Sequence, residues 1–548
     1  MNDTEHARAL ADRYWDQLLE IEPMLGTESG DERFDDRLDD PSAEGRAGAD
    51  AVHRAALSEL ATIDRDAVEP AERGTVDILE AIATRFVSDS EHRMDLLRLA
   101  NHFWGPAQLL GEVSSLQQTD TPERLDRYEA RLRAFGPHLD AFGGLAREGV
   151  DAGITSPAIV TERSIAQVER ILAIPAEDSP ALSALAPEDT AARERITEVV
   201  REVVNPAYER FLHTMRDYAK HATETIGVGD LPGGEAMYAS QVLAWTTLPL
   251  DPREVHQLGL DRFAAIHYER RQIAATLGYD DPASAIAAHA AAGHNTAASP
   301  SDLVQLAETQ VARSWEAAPE WFGVLPSANC EVRQVEPFRE ADMAWAFYNA
   351  PTEDGARPGI YYINTFGLEE RALHQLASVT YHEANPGHHF QITLEQEKPG
   401  RPALRRFGGL MAGSAFCEGW GLYSERLADE MGLYVDDWER LGMLDNQAHR
   451  AARLITDTGI HALGWSREEA ISTLRESGLP NTDAEIEADR YVALPGQALS
   501  YMIGMIEIER ARADAQSREG SSFVLRDFHD RVLSLGQLPL PAFRREMA

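Results

Sequence analysis

The segment His-Glu-Ala-Asn-Pro-Gly-His-His, residues 382–389, carries the residue types of a metal-dependent hydrolase. In zinc peptidases, an H-E-x-x-H segment on one helix supplies two imidazole ligands and a glutamate that acts as general base. Here the fifth position is Pro386, which cannot bind a metal, and the next imidazoles come six and seven residues after His382. The residue types therefore predict a metal site with His382 as a ligand and Glu383 as the base.

The wider spacing requires a distorted helix. Six residues of straight α-helix rise about 9 Å, whereas two nitrogens bound to one zinc each lie about 2.1 Å from the ion. Pro386-Gly387 supplies a cause, because proline removes a backbone donor and glycine tolerates unusual dihedral angles. We expect a bulge or kink here that brings His388 back toward His382, with His389 as the alternative ligand.

A carboxylate elsewhere in the chain should complete the site, and Glu418 is the candidate. It lies within residues 415–423, Ala-Phe-Cys-Glu-Gly-Trp-Gly-Leu-Tyr, among small and apolar neighbours. A carboxylate buried in such surroundings needs a cation. Histidine and carboxylate ligands suit Zn²⁺, although Mn²⁺ and Co²⁺ also accept them. We therefore expect one zinc ion bound by His382, His388 and Glu418.

Other polar residues are candidates for work beside the metal. His461 follows Asp457 by four residues, so the carboxylate can orient the imidazole on one helix. Tyr501 lies in a stretch rich in small residues, and its hydroxyl either reaches the metal site or makes a structural hydrogen bond. The candidate substrate contacts are Arg450, Arg453, Gln497 and Tyr362.

Hydrophobic periodicity predicts a mainly α-helical fold. Apolar residues recur at three- and four-residue spacing in residues 4–22, 48–63, 70–88, 122–150, 190–226 and 252–277. Turn-forming residues predict loops at residues 27–45, 175–189 and 293–301. Residues 359–365 are rich in β-branched and aromatic side chains, which predicts one strand near the site. Such a strand could offer a free edge to an extended peptide.

Composition limits the classes of partner. The chain has 51 basic and 91 acidic residues, a formal net charge of −40, which repels nucleic acid and anionic membrane surfaces. Two cysteines give no disulfide framework, and no apolar run reaches the length of a membrane span. The N-terminus is charged and lacks the apolar core of a secretion signal. We expect a cytoplasmic location, with neither nucleic acid nor membrane as a partner.

Several ordered motifs resemble those of a bacterial family known as domain of unknown function 885. The matching segments are residues 231–238, 354–365, 382–389, 457–465 and 495–501. More distantly, the chain is similar to helical gluzincin peptidases of the thimet oligopeptidase and carboxypeptidase Taq type. In those enzymes a glycine often precedes the second histidine ligand, and Gly387-His388 matches that pattern. The insertion between Glu383 and His388 departs from their spacing.

This second resemblance implies a helical, two-lobed ellipsoid with a deep central cleft and the metal on its floor. It also implies Tyr501 as a donor to the transition state. We expect residues 1–548 to form a single body, with residues 1–230 and 231–548 as approximate lobes.

Taken together, the motifs predict a zinc-dependent peptidase, an oligopeptidase or a carboxypeptidase. Glu383 would take the proton of the attacking water, while Tyr501 and His461 would stabilise the oxyanion. In a carboxypeptidase, Arg453 or Arg357 would hold the free C-terminus of the peptide.

Two alternatives stay open at this stage. The same site could hydrolyse another small-molecule amide or an ester. Alternatively, the chain could be a non-catalytic helical protein whose metal is closed by four protein ligands.

Overall fold

The computed structural model describes residues 2–336, 340, 343–353, 355 and 357–548. Asp354 and Ala356, which belong to one of the family-like segments, lie outside the described residues. Within the described part, the chain is mainly α-helical and carries one small sheet of three strands. The predicted fold class is therefore confirmed.

The chain divides into two compact units. The first comprises Met1–Val68, Ala83–Ser240 and Val492–Leu494, and the second comprises Glu69–Ile82, Gln241–Tyr491 and Pro495–Ala548. The lobes expected at residues 1–230 and 231–548, and the cleft between them, stay a prediction.

The first unit is built from the helices of the N-terminal part of the chain. These are α1 Asp3–Ile21, α2 Pro23–Ser29, α3 Ala43–Leu60, α4 Pro70–Glu91, α5 Leu109–Leu116, α6 Pro122–Ala152, α7 Ala158–Ala173, α8 Thr190–Val199 and α9 Asn205–Tyr218, with the start of α4 in the second unit. Helix α1 shows why they form, because its capping box at Asn2 satisfies the first turn and its apolar face is buried.

The second unit contains the candidate site. Its helices are α10 Gly234–Thr246 (which begins in the first unit), α11 Pro252–Thr276, α12 Pro282–Ala291, α13 Pro300–Trp321, α14 Leu373–Glu383, α15 His388–Gln396, α16 Ala403–Phe407, α17 Ala415–Glu430, α18 Asp437–Leu463, α19 Arg467–Glu476, α20 Asn481–Ala493, α21 Ser500–Glu519, α22 Leu525–Leu535 and α23 Leu540–Met547. Helices α17 and α21 cross closely, because a Cβ at either Gly419 or Gly504 would overlap the other helix's backbone.

The three strands are β1 Cys330–Gln334, β2 Ala346–Asn349 and β3 Gly359–Ile363. Strand β3 is central, paired in parallel with β1 and antiparallel with β2. The prediction of a strand at residues 359–365 is thus confirmed for Gly359–Ile363. Its expected free edge is wrong, because both sides of β3 already carry backbone partners and the strand is fully buried.

Each of the six predicted helical stretches contains an α-helix, and the 190–226 stretch holds both α8 and α9. The loop predicted over residues 27–45 is partly wrong, because α2 extends to Ser29 and α3 begins at Ala43. At the start of α3 the Ser42 hydroxyl accepts a hydrogen bond from the Gly45 amide and caps the helix. Pro23 begins α2, a position that suits its missing N–H.

Candidate metal centre

The histidine motif lies on two helices joined by a short non-helical connection. Helix α14 ends at Glu383 and α15 begins at His388, so residues 384–387 interrupt what would otherwise be one helix. The carbonyl of Pro386 accepts hydrogen bonds from Trp420 Nε1 at 2.8 Å and from Ser424 Oγ at 3.2 Å. Both donors lie on α17, which therefore holds the connection in place.

Three donor atoms meet beside this connection. Glu418 Oε2 lies 3.5 Å from His382 Nε2 and 3.4 Å from His388 Nε2, and the three donors lie within 4.8 Å of one another. A tetrahedral ion with ligands at about 2.1 Å separates neighbouring donors by about 3.4 Å. The three residues, here called the triad, therefore have the spacing of ligands around one ion.

Glu418 Oε2 gives a second sign that a cation belongs here. This oxygen is buried and has no hydrogen-bond partner among the described residues. Buried carboxylate oxygens are normally satisfied, since leaving one unpaired costs free energy. A divalent cation bound by the two imidazoles would satisfy it, so the donor set fits zinc.

A second carboxylate orients the first imidazole. Glu425 is fully buried, and its Oε1 lies 2.8 Å from His382 Nδ1. Ser378 Oγ donates to the other carboxylate oxygen at 2.8 Å. With the proton held on Nδ1, the Nε2 lone pair of His382 faces the triad, as in carboxylate–histidine–zinc sites. Sequence analysis missed this role, although Glu425 follows Glu418 by seven residues and so lies on the same helix face.

Helix α17 also leaves room for the imidazole. A Cβ at Gly421 would lie 2.8 Å from the His382 ring, so a larger residue there would displace the ligand. On the other imidazole, His388 Nδ1 lies 3.3 Å from Cys417 Sγ, again on α17. One helix therefore supplies the candidate carboxylate ligand and contacts both imidazoles.

The charges of the triad are strongly coupled. Burial disfavours the charged form of His382, but the nearby carboxylates of Glu418 and Glu425 outweigh that effect and raise the pKa of His382 to about 10. Burial likewise disfavours the carboxylate of Glu418, yet the two imidazoles hold its pKa well below its usual range. Without a metal, an imidazolium therefore neutralises Glu418. Metal binding would displace that proton.

Glu383 lies beside the triad. It is buried, and burial raises the pKa of its carboxyl against the opposing charges of His388 and His382. The general-base candidate is thus a buried carboxyl in the electrostatic field of both imidazoles.

His389, the alternative ligand, is placed elsewhere. Its Nδ1 lies 2.9 Å from the hydroxyl of Tyr348, and its Nε2 lies 3.1 Å from the carbonyl of Ala328. Burial lowers the pKa of His389 to about 4. Both ring nitrogens of His389 therefore have partners outside the triad. It is His388, not His389, that the structure places beside His382 and Glu418.

His461 has one ring nitrogen on a backbone carbonyl of α20. Its Nε2 lies 2.9 Å from the backbone carbonyl of Tyr491, to which it donates, and burial lowers the pKa of the ring to about 4. Asp457 accepts hydrogen bonds from the amide of Gly496 at 3.1 Å. This nitrogen therefore contacts the backbone of α20, and the expected oxyanion role of His461 stays a prediction.

The ring of Tyr501 lies beside the triad, and its expected role as a donor stays a prediction. Its ring stacks beside that of His382, with 6.2 Å between ring centres. Arg490 Nη2 lies 3.3 Å from the tyrosine hydroxyl and 3.0 Å from Gln497 Oε1. The guanidinium carbon of Arg453 lies 4.3 Å from the centre of the Tyr501 ring.

Arg450 joins the same group, 5.6 Å from the Tyr501 ring centre. Four predicted residues, Arg450, Arg453, Gln497 and Tyr501, are thus brought together, with Arg490 as a member that sequence analysis missed. Arg490 follows Arg450 by forty residues on another helix, so no local spacing links them.

Two predicted substrate contacts, Tyr362 and Arg357, lie in or beside the sheet. Tyr362 packs its ring on that of Phe347, 4.9 Å between centres, in a core cluster with Val335 and Ile360. Its ring therefore packs in the sheet, and its expected contact with substrate stays a prediction. Arg357 lines a cavity of about 580 Å³ beside β3, and its Nη2 donates to the carbonyl of Ala350 at 3.4 Å.

Comparison with known proteins supports the family assignment over nearly the whole chain. A family model described as "Bacterial protein of unknown function (DUF885)" matches residues 23–547. The chain belongs to this family. Members need not share an activity, and the description assigns none. Among curated proteins, no match is found.

Two solved structures share the fold. The "putative lipoprotein from Colwellia psychrerythraea" is 25% identical with a TM-score of 0.93, and the match covers 100% of this chain and 98% of that one. A "putative lipoprotein of unknown function from Shewanella oneidensis" is 19% identical with a TM-score of 0.73, and the match covers 98% of each chain. Within the part of this chain that is described, no helix has the length and apolarity to span a membrane. The expected cytoplasmic location stays a prediction.

Proposed function

We propose that this member of the family is a metal-dependent peptidase that holds one zinc ion on His382, His388 and Glu418. The observation that carries the proposal is the triad, whose donors have ligand spacing and whose Glu418 Oε2 is buried without a hydrogen-bond partner in the described residues. Zinc bound there would supply a Lewis acid and lower the pKa of a water molecule.

The chain's own residues then divide the remaining work. Glu383, next to the first ligand, takes the proton of the attacking water on a carboxylate oxygen and passes it to the leaving nitrogen. The hydroxyl of Tyr501, whose ring lies beside that of His382, donates to the oxyanion as the acyl carbon becomes tetrahedral. Glu425 keeps the His382 ring in the ligating orientation.

Three protein ligands favour a catalytic site over a structural one. Structural zinc is usually closed by four protein ligands, whereas catalytic zinc keeps a position for water or substrate. The triad offers one carboxylate and two imidazoles. His389, next to His388 in sequence, has both ring nitrogens on Tyr348 and the carbonyl of Ala328 and so does not supply a fourth ligand. The resemblance to helical gluzincin peptidases supports the same reading.

A zinc assay combined with a peptide library tests the proposal. Protein stripped with a chelator and reloaded with zinc should bind one equivalent and cleave members of a random peptide pool followed by mass spectrometry. Glu383→Gln should still bind one equivalent of zinc but lose at least about 100-fold in turnover, because the proton acceptor is gone. Glu308→Gln, an exposed change on α13, is the matched control and should behave as wild type.

Two results would contradict the proposal. A Glu383→Gln variant as active as wild type would remove the assigned base. A zinc-loaded wild-type protein that cleaves no peptide of the pool would leave a metal-binding protein without peptidase activity.

A further inference from the structure

A group of arginines, one buried and two half-buried, lies next to the triad in a chain whose formal net charge is −40. Arg450, Arg453 and Arg490, here called the arginine cluster, all contact Tyr501, whose ring lies beside that of His382. Arg453 is only 3% exposed. Like charges brought together away from water repel one another, so the cluster requires anionic partners.

Glu487 supplies a carboxylate to this cluster. Glu487 lies 2.8 Å from Arg453 Nη2 and 3.3 Å from Arg490 Nη1. Arg450 has no carboxylate within ion-pair distance among the described residues, and its Nη1 donates to His449 Nδ1 at 3.1 Å. Burial, together with the charge of Arg453, lowers the pKa of His449 to about 3, so this imidazole is neutral. Glu487 therefore balances one of the three positive charges.

The other polar groups described near the cluster do not neutralise its remaining positive charge. The carboxylate of Glu383 acts electrostatically on Arg450, but no hydrogen bond joins the two among the described residues. The Tyr491 hydroxyl accepts from Arg453 Nε at 3.1 Å and donates to Glu487 at 2.7 Å. The cluster thus keeps an excess of positive charge near Arg450.

Two donor atoms of the cluster show where acceptors are lacking. Arg450 Nε and Arg453 Nη1 are buried and make no hydrogen bond to any described residue. Buried N–H groups without acceptors cost free energy and are rare in folded proteins. An anionic ligand with two oxygens would satisfy them, since guanidinium groups match the geometry of a carboxylate.

The position of the cluster indicates which carboxylate this is. The centre of the Tyr501 ring lies 4.3 Å from the guanidinium carbon of Arg453 and 6.2 Å from the centre of the His382 ring, so a single tyrosine links the anion site to the triad. At about 3.5 Å per extended residue, only the last few residues of a peptide are needed to span such a distance. We propose that the arginine cluster binds the free C-terminal carboxylate of a peptide, so that the bond presented to the triad is the last one. This inference rests on the proposed function and narrows it to a carboxypeptidase.

A binding experiment tests the carboxylate site without relying on turnover. The probes are N-acetyl-tetraalanine with a free C-terminus and the same peptide with a terminal amide, titrated calorimetrically into zinc-loaded Glu383→Gln. The free acid should bind at least about 10-fold more tightly than the amide, because only the acid offers a charged acceptor pair. Arg450→Gln should remove that difference.

The matched control is Arg440→Gln. Arg440 lies on the same helix, α18, but is about two-fifths exposed and paired with Asp429. This variant loses the same charge and should keep the preference for the free acid. Equal affinity of the two peptides for the Glu383→Gln protein, or no measurable binding of either, would overturn the inference.

Turnover by the wild-type protein separates this inference from the proposed function. Cleavage of amidated and free peptides at equal rates would overturn the carboxylate site and leave the peptidase proposal standing. If calorimetry shows a preference for the free acid but no peptide is hydrolysed, the carboxylate site would stand and the peptidase proposal would be overturned. Release of single C-terminal residues from free peptides, with amidated ones at least about 10-fold slower, would support both.

Discussion

His374 and His382 lie about two turns apart on α14, and each has one ring nitrogen 2.8 Å from a buried carboxylate. The partner is Asp445 for His374 and Glu425 for His382. By sequence the two histidines are alike, and both are buried in the second unit. They differ in the partners of the second ring nitrogen and of the neighbouring carboxylates.

Both ring nitrogens of His374 have hydrogen-bond partners in the protein. Its Nδ1 lies 2.9 Å from Asn295 Oδ1, and Asp445 Oδ1 accepts from Arg270 Nε at 2.7 Å. Around His382 the second nitrogen instead faces Glu418 Oε2, which has no hydrogen-bond partner in the described residues. A buried histidine–carboxylate pair thus marks a functional site only when an unsatisfied donor set lies next to it.

The largest effect is expected in the hydrogen-bonded group of His374, Asn295, Asp445 and Arg270, here called the closed network. Asp445→Ala leaves Arg270 buried without its carboxylate, and Arg270 is only 2% exposed. The free energy of unfolding should fall by about 3–5 kcal/mol, because an uncompensated charge stays buried. Zinc stoichiometry of the folded variant should be unchanged. Denaturant unfolding and metal analysis check this, and loss of zinc from a folded variant would show that the two regions are coupled.

At the triad, stability should instead depend on zinc. At free zinc about 1,000 times the dissociation constant, the free energy of unfolding should rise by about 4 kcal/mol, because zinc binds the folded state. Glu418→Ala should abolish the rise, whereas His374→Gln, a change in the closed network, should keep it. Unfolding curves recorded over a zinc titration measure it. A rise that survives Glu418→Ala would place the metal elsewhere.

A smaller effect is expected one contact away from the triad. Glu425→Gln should weaken zinc binding by about 10- to 100-fold, because the His382 ring loses the carboxylate that orients it. Competition with a chromogenic chelator measures the affinity. His389→Gln serves as the comparison and should leave affinity near that of wild type, because both nitrogens of His389 have partners outside the triad.

The smallest effect concerns a third buried histidine. Burial lowers the pKa of His461 to about 4, so the folded state keeps it neutral while the unfolded state takes up a proton below about pH 6.5. This contribution to stability is complete above pH 6.5 and is lost as the pH falls toward 4. At pH 5.5 the loss should be about 1.4 kcal/mol.

The variant His461→Gln cannot titrate. Its stability deficit against wild type should therefore shrink by about 1.4 kcal/mol between pH 7.5 and pH 5.5. Parallel denaturant titrations at the two pH values measure this, and an unchanged deficit would mean that His461 is not held neutral by the fold.

Much of the fold followed from local signals. Residues 122–150 and 252–277 carry the period of a helix, and they form α6 and α11. Residues 359–363 carry β-branched and aromatic side chains and form β3. The pairing of β3 on both sides could not be predicted, because the other two strands are short and their hydrogen bonds join distant residues.

The sequence by itself determined that a histidine–glutamate motif interrupted by Pro-Gly exists and that helices carry it. Only the tertiary structure decided that His388, rather than His389, lies beside Glu418. It also placed His461 Nε2 against a backbone carbonyl and brought three arginines of α18 and α20 into contact with Tyr501. The physical reason is that helix periodicity depends on neighbouring residues alone. Adjacent residues on a helix point about 100° apart, so the packing against α17 chooses which imidazole meets Glu418.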